Sequence, residues 1–270
     1  MMKLTVLMDN HTEIDVYHLG EPAVSYWIEA DGKQFLFDTG YSDAFLKNAK
    51  AMGIDLTTAD AILLSHGHID HTGGLPALLA LPFAQKPRLI AHPHALLPKQ
   101  WSGMDIGIPF SMAELQEKVS MEVSKEPLWL TEHLVFLGEI PHTVDFEPAY
   151  AIGETVVDGQ SVPDVITDDT ALAYVTEKGI YIITGCSHAG ICNIVQYAKA
   201  VTGKTKVLGL LGGLHLLEEN ERSSKTIAFL AKEQISALFP CHCTSFAVRA
   251  ALHAVSPVGE VGVGMTLEWE

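Results

Sequence analysis

Nowhere in the 270 residues does an apolar run approach the roughly 18 residues that a membrane-spanning helix requires. The opening MMKLTVLMDNH also lacks the continuous apolar centre of a secretion signal, so the chain is expected to work in the cytoplasm and away from membranes. Positive charge is scarce: 17 Lys and Arg stand against 33 Asp and Glu, a formal net charge of −16. A field of that sign repels phosphate backbones, which sets nucleic acids aside and leaves a small-molecule substrate as the expected partner. An anionic substrate remains open, because a bound dication and a few placed cations outweigh the global field inside a cleft. Cysteine is sparse too. Cys186, Cys192, Cys241 and Cys243 all lie in the last third, beside His188 and His242, which suits thiols near a site better than a disulfide framework. Only 19% of residues are charged while 48% are hydrophobic, so a long disordered tail is excluded and a sizeable core is available.

What is present reads as alternating α and β segments. TVLMDN, AVSYWIEADGKQFLFDTG and DAILLSH are expected strands, with Asp31-Gly32 as a hairpin turn, and SDAFLKNAKAMG is a helix closed by Gly53. ITDDTALAYVTEKGIYIITG repeats the strand, turn, strand plan of residues 23–40, which points to an internal duplication. AGICNIVQYAKAVTG then reads as a helix, KVLGLLGG as a buried strand, SSKTIAFLAKE as a helix opened by a serine cap, and ISALFP as a strand. Residues 98–150 are rich in Pro, Met and Trp with weaker periodicity. They are expected to form an insertion in a single domain of residues 1–270, either covering the site or extending the periphery.

The chemistry concentrates where strands end, in DTGYSD, SHGHIDH, GCSHAG, GGLHL and CHCTS. In SHGHIDH, His66 and His68 are two apart in extended chain and share a direction, while Asp70 and His71 follow on the turn into a helix. Two neighbouring pairs of nitrogen and carboxylate ligands suit one or two divalent metals, zinc first, with iron or manganese as alternatives. Asp38, in FDTG, is placed to hydrogen-bond a ligand histidine, or simply to cap a turn. Asp9-Asn10 either faces the cleft or forms a turn.

HGHIDH resembles the HxHxDH signature of the metallo-β-lactamase fold superfamily, a four-layered αββα sandwich with a mono- or dinuclear metal site. DTG before it and GCSH, GGLHL and PCHCTS after it stand in the order of one branch, similar to the 7,8-dihydropterin-6-methyl-4-(β-D-ribofuranosyl)-aminobenzene-5′-phosphate synthases. The resemblance implies one metal at His66, His68 and His188 and a second at Asp70, His71 and His242. It also implies a bridging aspartate after the glycine of IYIITG, where this chain has Cys186, a thiolate bridge or a small buried residue. His215 is open to two roles, ligand or proton transfer; proton transfer is expected, with Gly212 and Gly213 leaving space for substrate beside it. Asp70 and His215 are thus the expected catalytic residues, and His142 is the weakest site candidate.

Such a site supplies hydroxide at neutral pH or Lewis acidity toward a carbonyl or phosphoryl oxygen. Three readings follow: a dihydropterin-synthase-like enzyme acting on a small phosphorylated or pterin-like substrate; another metallo-hydrolase of the fold, such as a lactonase, thioesterase or phosphodiesterase; and a metal-stabilised ligand-binding protein without catalysis. For the first, Trp101 and Phe110 of the insertion are candidates to close the site against water.

Overall fold

Buried β-branched and aromatic runs set the strands, and the computed structural model describes all residues 1–270. Two compact units are distinguished. One comprises Met1–Lys125, Tyr150–Asp168 and Gly262–Glu270, and the other Glu126–Ala149 and Asp169–Val261. The stretch 98–150, expected as a single insertion, is therefore shared between them, residues 98–125 and Tyr150 in the first unit and 126–149 in the second. Its weak periodicity has a plain cause: Lys99–Trp101, Met104–Asp105 and Leu128–Trp129 are strands too short to show alternation.

The first unit is built on a seven-stranded sheet in the order Thr266–Trp269, Met2–Met8, Ser25–Ala30, Lys33–Phe37, Ala61–Leu63, Arg88–Ala91, Ser120–Val123. The first three pairings are antiparallel and the last three parallel. Strands Met2–Met8, Lys33–Phe37, Ala61–Leu63 and Arg88–Ala91 consequently run the same way, and the residues after each of them gather on one sheet edge. Asp31 and Gly32 both have positive φ, 52° and 74°, the backbone that a two-residue hairpin turn demands. Phe45, Ala49, Leu75 and Leu78 from helical segments share a core cluster with Leu36, Ile62 and Leu89 of the sheet. Buried Asn48 in the helix Ala44–Ala51 donates to the carbonyls of Leu7 and Leu19, both at 2.8 Å, and so ties the loop after the first strand to the sheet. A smaller four-stranded sheet joins Lys99–Trp101 and Met104–Asp105 to the hairpin Glu154–Val157/Gln160–Pro163.

The second unit repeats the plan. Its six strands run Ala237–Cys241, Val207–Gly213, Ile180–Thr184, Ala171–Val175, Leu134–Phe136, Leu128–Trp129, the first two pairings parallel and the others antiparallel. Each unit thus contains a hairpin whose second strand pairs in parallel with the next. The helix Ile191–Thr202 ends at Gly203 with φ 68°, a left-handed cap. The helix expected to open at a serine opens earlier, at Glu221, because Asn220 is the cap. Its side chain accepts from the Ser223 amide at 2.9 Å while the Ser223 hydroxyl accepts from the Asn220 amide at 2.8 Å, a reciprocal capping box that satisfies two orphan donors. No helix is long and apolar enough to cross a membrane.

Candidate metal centre

In the first unit the strand Ala61–Leu63 runs out into Leu64-Ser65-His66-Gly67-His68, and His68, with extended backbone, is the N-cap of the short helix Ile69–Thr72. His66 and His71 are fully buried and His68 nearly so, whereas the Asp70 side chain is 32% exposed. His66 Nε2 and His68 Nδ1 lie 3.1 Å apart, and Asp70 Oδ2 is 3.6 Å from His71 Nε2, so the motif presents two adjacent pairs of ligand atoms.

Asp38 decides how the rings stand. It has φ 61° and is buried at the end of Lys33–Phe37. One of its carboxylate oxygens accepts the Ser65 amide at 2.7 Å. The other accepts the Ser65 hydroxyl at 2.7 Å and stands 2.7 Å from His71 Nδ1. A carboxylate only accepts, so Nδ1 of His71 carries the proton and Nε2 keeps its lone pair. Having given its single hydrogen to Asp38, the Ser65 hydroxyl is left as an acceptor for His66 Nδ1 at 2.9 Å, which leaves Nε2 of His66 as a lone pair too. Carboxylate partners of this kind fix the tautomer and raise the basicity of ligating histidines.

His68 is pushed down to about 4 from 6.5 by burial, against the opposing pull of Asp168 and Asp70, so its ring is neutral at pH 7. Because the folded value lies below the unfolded one, the metal-free protein binds fewer protons than its unfolded chain through that window. Its stability should fall as pH drops from about 6.5 toward 4. Denaturant midpoints at pH 7, 6 and 5 measure this, and an equal fall in a His68→Asn variant would remove the assignment.

A buried cluster that the sequence does not announce supports the motif from behind. The Gly67 amide donates to Asp168 Oδ2 at 2.8 Å. Lys99 Nζ sits 3.0 Å from Asp168 Oδ1 and 2.7 Å from Asp164 Oδ2, with the lysine and Asp168 side chains 0% exposed. Burial alone would raise Asp168 and lower Lys99. Their mutual attraction wins, holding the carboxyl below and the ammonium above their ordinary values. A Cβ at Gly67 would come within 2.4 Å of the Ala95 carbonyl and 2.8 Å of Lys99 Cε, so only glycine fits between His66 and His68.

In the second unit the candidates again follow strand ends: Cys186 and His188 after Ile180–Thr184, His215 after Val207–Gly213, His242 and Cys243 after Ala237–Cys241. Ligand atoms of Cys186 and His242 lie within 4.8 Å of each other, as do those of Cys186, His215 and Cys243. The rings of His188 and His215 are 4.2 Å apart between centroids. All four cysteines are free thiols. Cys192 is pushed far up by burial and by Glu147, which makes it an inert core thiol. Cys243 is the opposite case: burial would raise it, but hydrogen bonding to Cys186 and the nearby His242 and His215 bring it well below its usual value.

Gly212 and Gly213 leave no room for substrate. A Cβ on Gly212 would meet the Thr184 carbonyl at 2.3 Å, and one on Gly213 would meet Cys243 Sγ at 2.5 Å and the Gly185 carbonyl at 2.6 Å. Packing against these neighbours explains the pair, and the expectation of open space beside His215 is corrected. His142 is exposed, its Nδ1 3.2 Å from the Glu147 carbonyl, and it belongs to none of the groups of converging donor atoms. Buried Asp9 accepts the His11 amide at 3.0 Å, the turn geometry of an Asx residue, while Asn10 is exposed. Trp101 is 52% exposed, and Phe110 packs against the first unit's core.

Comparison with known proteins shows the family and the fold. The sequence model of the metallo-beta-lactamase superfamily matches residues 19–201. The 7,8-dihydropterin-6-methyl-4-(beta-D-ribofuranosyl)-aminobenzene-5′-phosphate synthase of Methanocaldococcus jannaschii is 31% identical over 260 residues, covering 91% of this chain and 88% of the synthase. An uncharacterised protein of the same organism is 31% identical over 244 residues, covering 90% and 91%. Among solved structures, Tm1679, described as a metal-dependent hydrolase of the beta-lactamase superfamily, superposes with a TM-score of 0.85 at 27% identity, over 100% of this chain and 99% of that one.

Proposed function

The chain belongs to the metallo-β-lactamase superfamily, and on that premise we propose that it is a metal-dependent enzyme acting on a small phosphorylated or pterin-like substrate. In this reading His66, His68 and His188 hold one divalent ion and Asp70, His71 and His242 a second, with Cys186 in the place of a bridging carboxylate. The donor chemistry fits: imidazole nitrogens with a carboxylate and a thiol suit zinc, and with fewer sulfur contacts iron or manganese. The observation that carries the reading is the Asp38–Ser65 network, which spends one carboxylate and one hydroxyl to turn the lone pairs of two buried histidines outward. A core needing only packed histidines has no use for it.

Divalent ions held there supply Lewis acidity toward a carbonyl or phosphoryl oxygen. The chain's own part is to keep the ligand rings neutral and oriented through Asp38 and Ser65. Asp70, whose side chain is the most exposed of the first unit's four candidate ligands, is the carboxylate available to orient the attacking or leaving group and take its proton. The 31% identity to a pterin-pathway synthase supports a pterin-like substrate, and the description of Tm1679 supports hydrolysis as the second reading. The net charge of −16 argues against nucleic acid as substrate, and four free thiols fit a reducing, cytoplasmic setting.

Elemental analysis of the purified protein, followed by a screen of reduced pterins, phosphodiesters, lactones and thioesters, tests this. Bound divalent metal with turnover of a reduced pterin is the expected result. Cleavage of a phosphodiester, lactone or thioester alone would move the assignment to the hydrolase reading, and failure to bind divalent metal at all would overturn both.

A further inference from the structure

We infer that Cys186, His215 and Cys243 form a further, sulfur-rich donor set that binds a thiophilic cation such as zinc or cadmium. The topology generates it. Ile180–Thr184, Val207–Gly213 and Ala237–Cys241 are adjacent parallel strands, and each of the three residues is the second one past the end of its strand. Equivalent positions on neighbouring parallel strands lie side by side on one sheet edge, and here their two sulfurs and an imidazole nitrogen lie within 4.8 Å of one another. Ligands at about 2.0–2.3 Å from a tetrahedral zinc are themselves about 3.5–4 Å apart, so the set closes on an ion with side-chain adjustments below about 1 Å.

The backbone is arranged around these groups at a cost. Ser187, His215 and His242 have left-handed φ of 60°, 46° and 50°, and they either follow, carry or precede the three donors. Single non-glycine residues held in that region store strain and concentrate where a structure has a use for them. Hydrogen bonds hold the three loops in place: Ser187 Oγ donates to the Gly213 carbonyl at 2.6 Å, the Gly213 amide to the Gly185 carbonyl at 2.9 Å, and the Leu214 amide to Thr244 Oγ1 at 3.0 Å. Gly213 has no Cβ where Cys243 Sγ comes to rest, and the His215 amide donates to that sulfur at 3.3 Å. Amide hydrogen bonds to sulfur are the surroundings in which thiolate ligands of metal sites are stabilised.

Binding would release to solvent any proton still held by either thiol, leaving Cys186 and Cys243 as thiolates on the ion, His215 as the third ligand and a fourth position for water or a substrate atom. This gives His215 a ligand role in place of the proton transfer expected from the sequence. The set lies wholly within the second unit and takes Cys186 from the bridging place that the two-ion reading gives it, while none of the six residues that hold the ions in that reading is among its donors.

The test uses the full-length, reduced, metal-free protein titrated with cadmium while the thiolate-to-metal absorption in the near ultraviolet is followed. The expected result is a band that saturates at one added equivalent in a His66→Ala/His68→Ala/His71→Ala variant. That band should fall to about half with Cys243→Ser and vanish with Cys186→Ser/Cys243→Ser, and cadmium should bind about tenfold or more weakly with His215→Ala, the scale on which lost metal-site interactions act. Should the serine variants fail to fold, alkylation of the unsubstituted protein decides the matter, because bound cadmium should protect Cys243 from a thiol reagent. Absence of the band, a band indifferent to Cys243→Ser, unchanged alkylation of Cys243 under saturating cadmium, or His215→Ala that loses turnover with cadmium affinity intact would each overturn the proposal.

Discussion

Replacing Lys99 by methionine should lower the free energy of unfolding by about 3–5 kcal/mol, the range for removing one partner of a buried ion pair. The lysine side chain is fully buried between Asp164 and Asp168, themselves 5% and 0% exposed, so its loss leaves two carboxylates in a dry site with no cation. With Lys99 gone, burial acts on Asp168 against only the Gly67 amide and the nearby His68, and its pKa rises. The variant's deficit should therefore be largest at alkaline pH and shrink as pH falls through the raised value, when a proton replaces the missing charge. Denaturant unfolding at pH 8 and pH 5 reads both effects, and a loss below about 1 kcal/mol at each pH would mean that water solvates the carboxylates. Asp164→Asn should be milder, since Lys99 keeps Asp168 and the asparagine oxygen can still accept the Ile166 amide that Asp164 accepts at 3.0 Å. Because Asp168 also receives the Gly67 amide, the lysine variant should weaken metal binding at His66 and His68 along with stability.

How much of this was legible in the sequence depends on the range of the interaction. HGHIDH declares itself because its ligands are neighbours along the chain, and the hairpins declare themselves through alternation and Asp31-Gly32. The helix at Glu221–Glu233 was legible in its body but not at its start, because the Asn220–Ser223 box competes with the serines that follow and either could cap. Lys99 is 65 and 69 positions from Asp164 and Asp168, in segments of short strands, and a lysine in PKQW reads as surface until the fold encloses it. The glycines before His215 carried a different ambiguity. Absence of a side chain marks either room for a ligand or a neighbour already in that room, and here Thr184, Gly185 and Cys243 fill it. Cys243 was hidden for a related reason, since its chemistry comes from Cys186 and His215, which reach it only through the parallel pairing of three strands.

Asp38→Asn should reduce divalent metal affinity about 10- to 100-fold, the effect typical of removing the group that orients a ligating histidine. The change is nearly isosteric, so the loss comes from hydrogen-bond polarity. The oxygen of asparagine can still accept the Ser65 amide, but the NH2 group then occupies the position that now accepts both the Ser65 hydroxyl and His71 Nδ1. A donor there faces two donors. His71 is driven to carry its proton on Nε2, which removes the lone pair a metal would take. The Ser65 hydroxyl, no longer bound to a carboxylate, can turn its hydrogen toward His66 Nδ1 and reverse that ring as well. Ser65→Ala separates the two rings: it deletes the contact to His66 and leaves Asp38 on His71, so it should weaken only the binding that His66 supports. Competition with a chelating dye on both variants, with circular dichroism to confirm folding, measures the effect. An Asp38→Asn protein that is folded and binds metal as tightly as the parent would show that the tautomers are set elsewhere, and the network would then be a packing feature of the Lys33–Phe37 strand end.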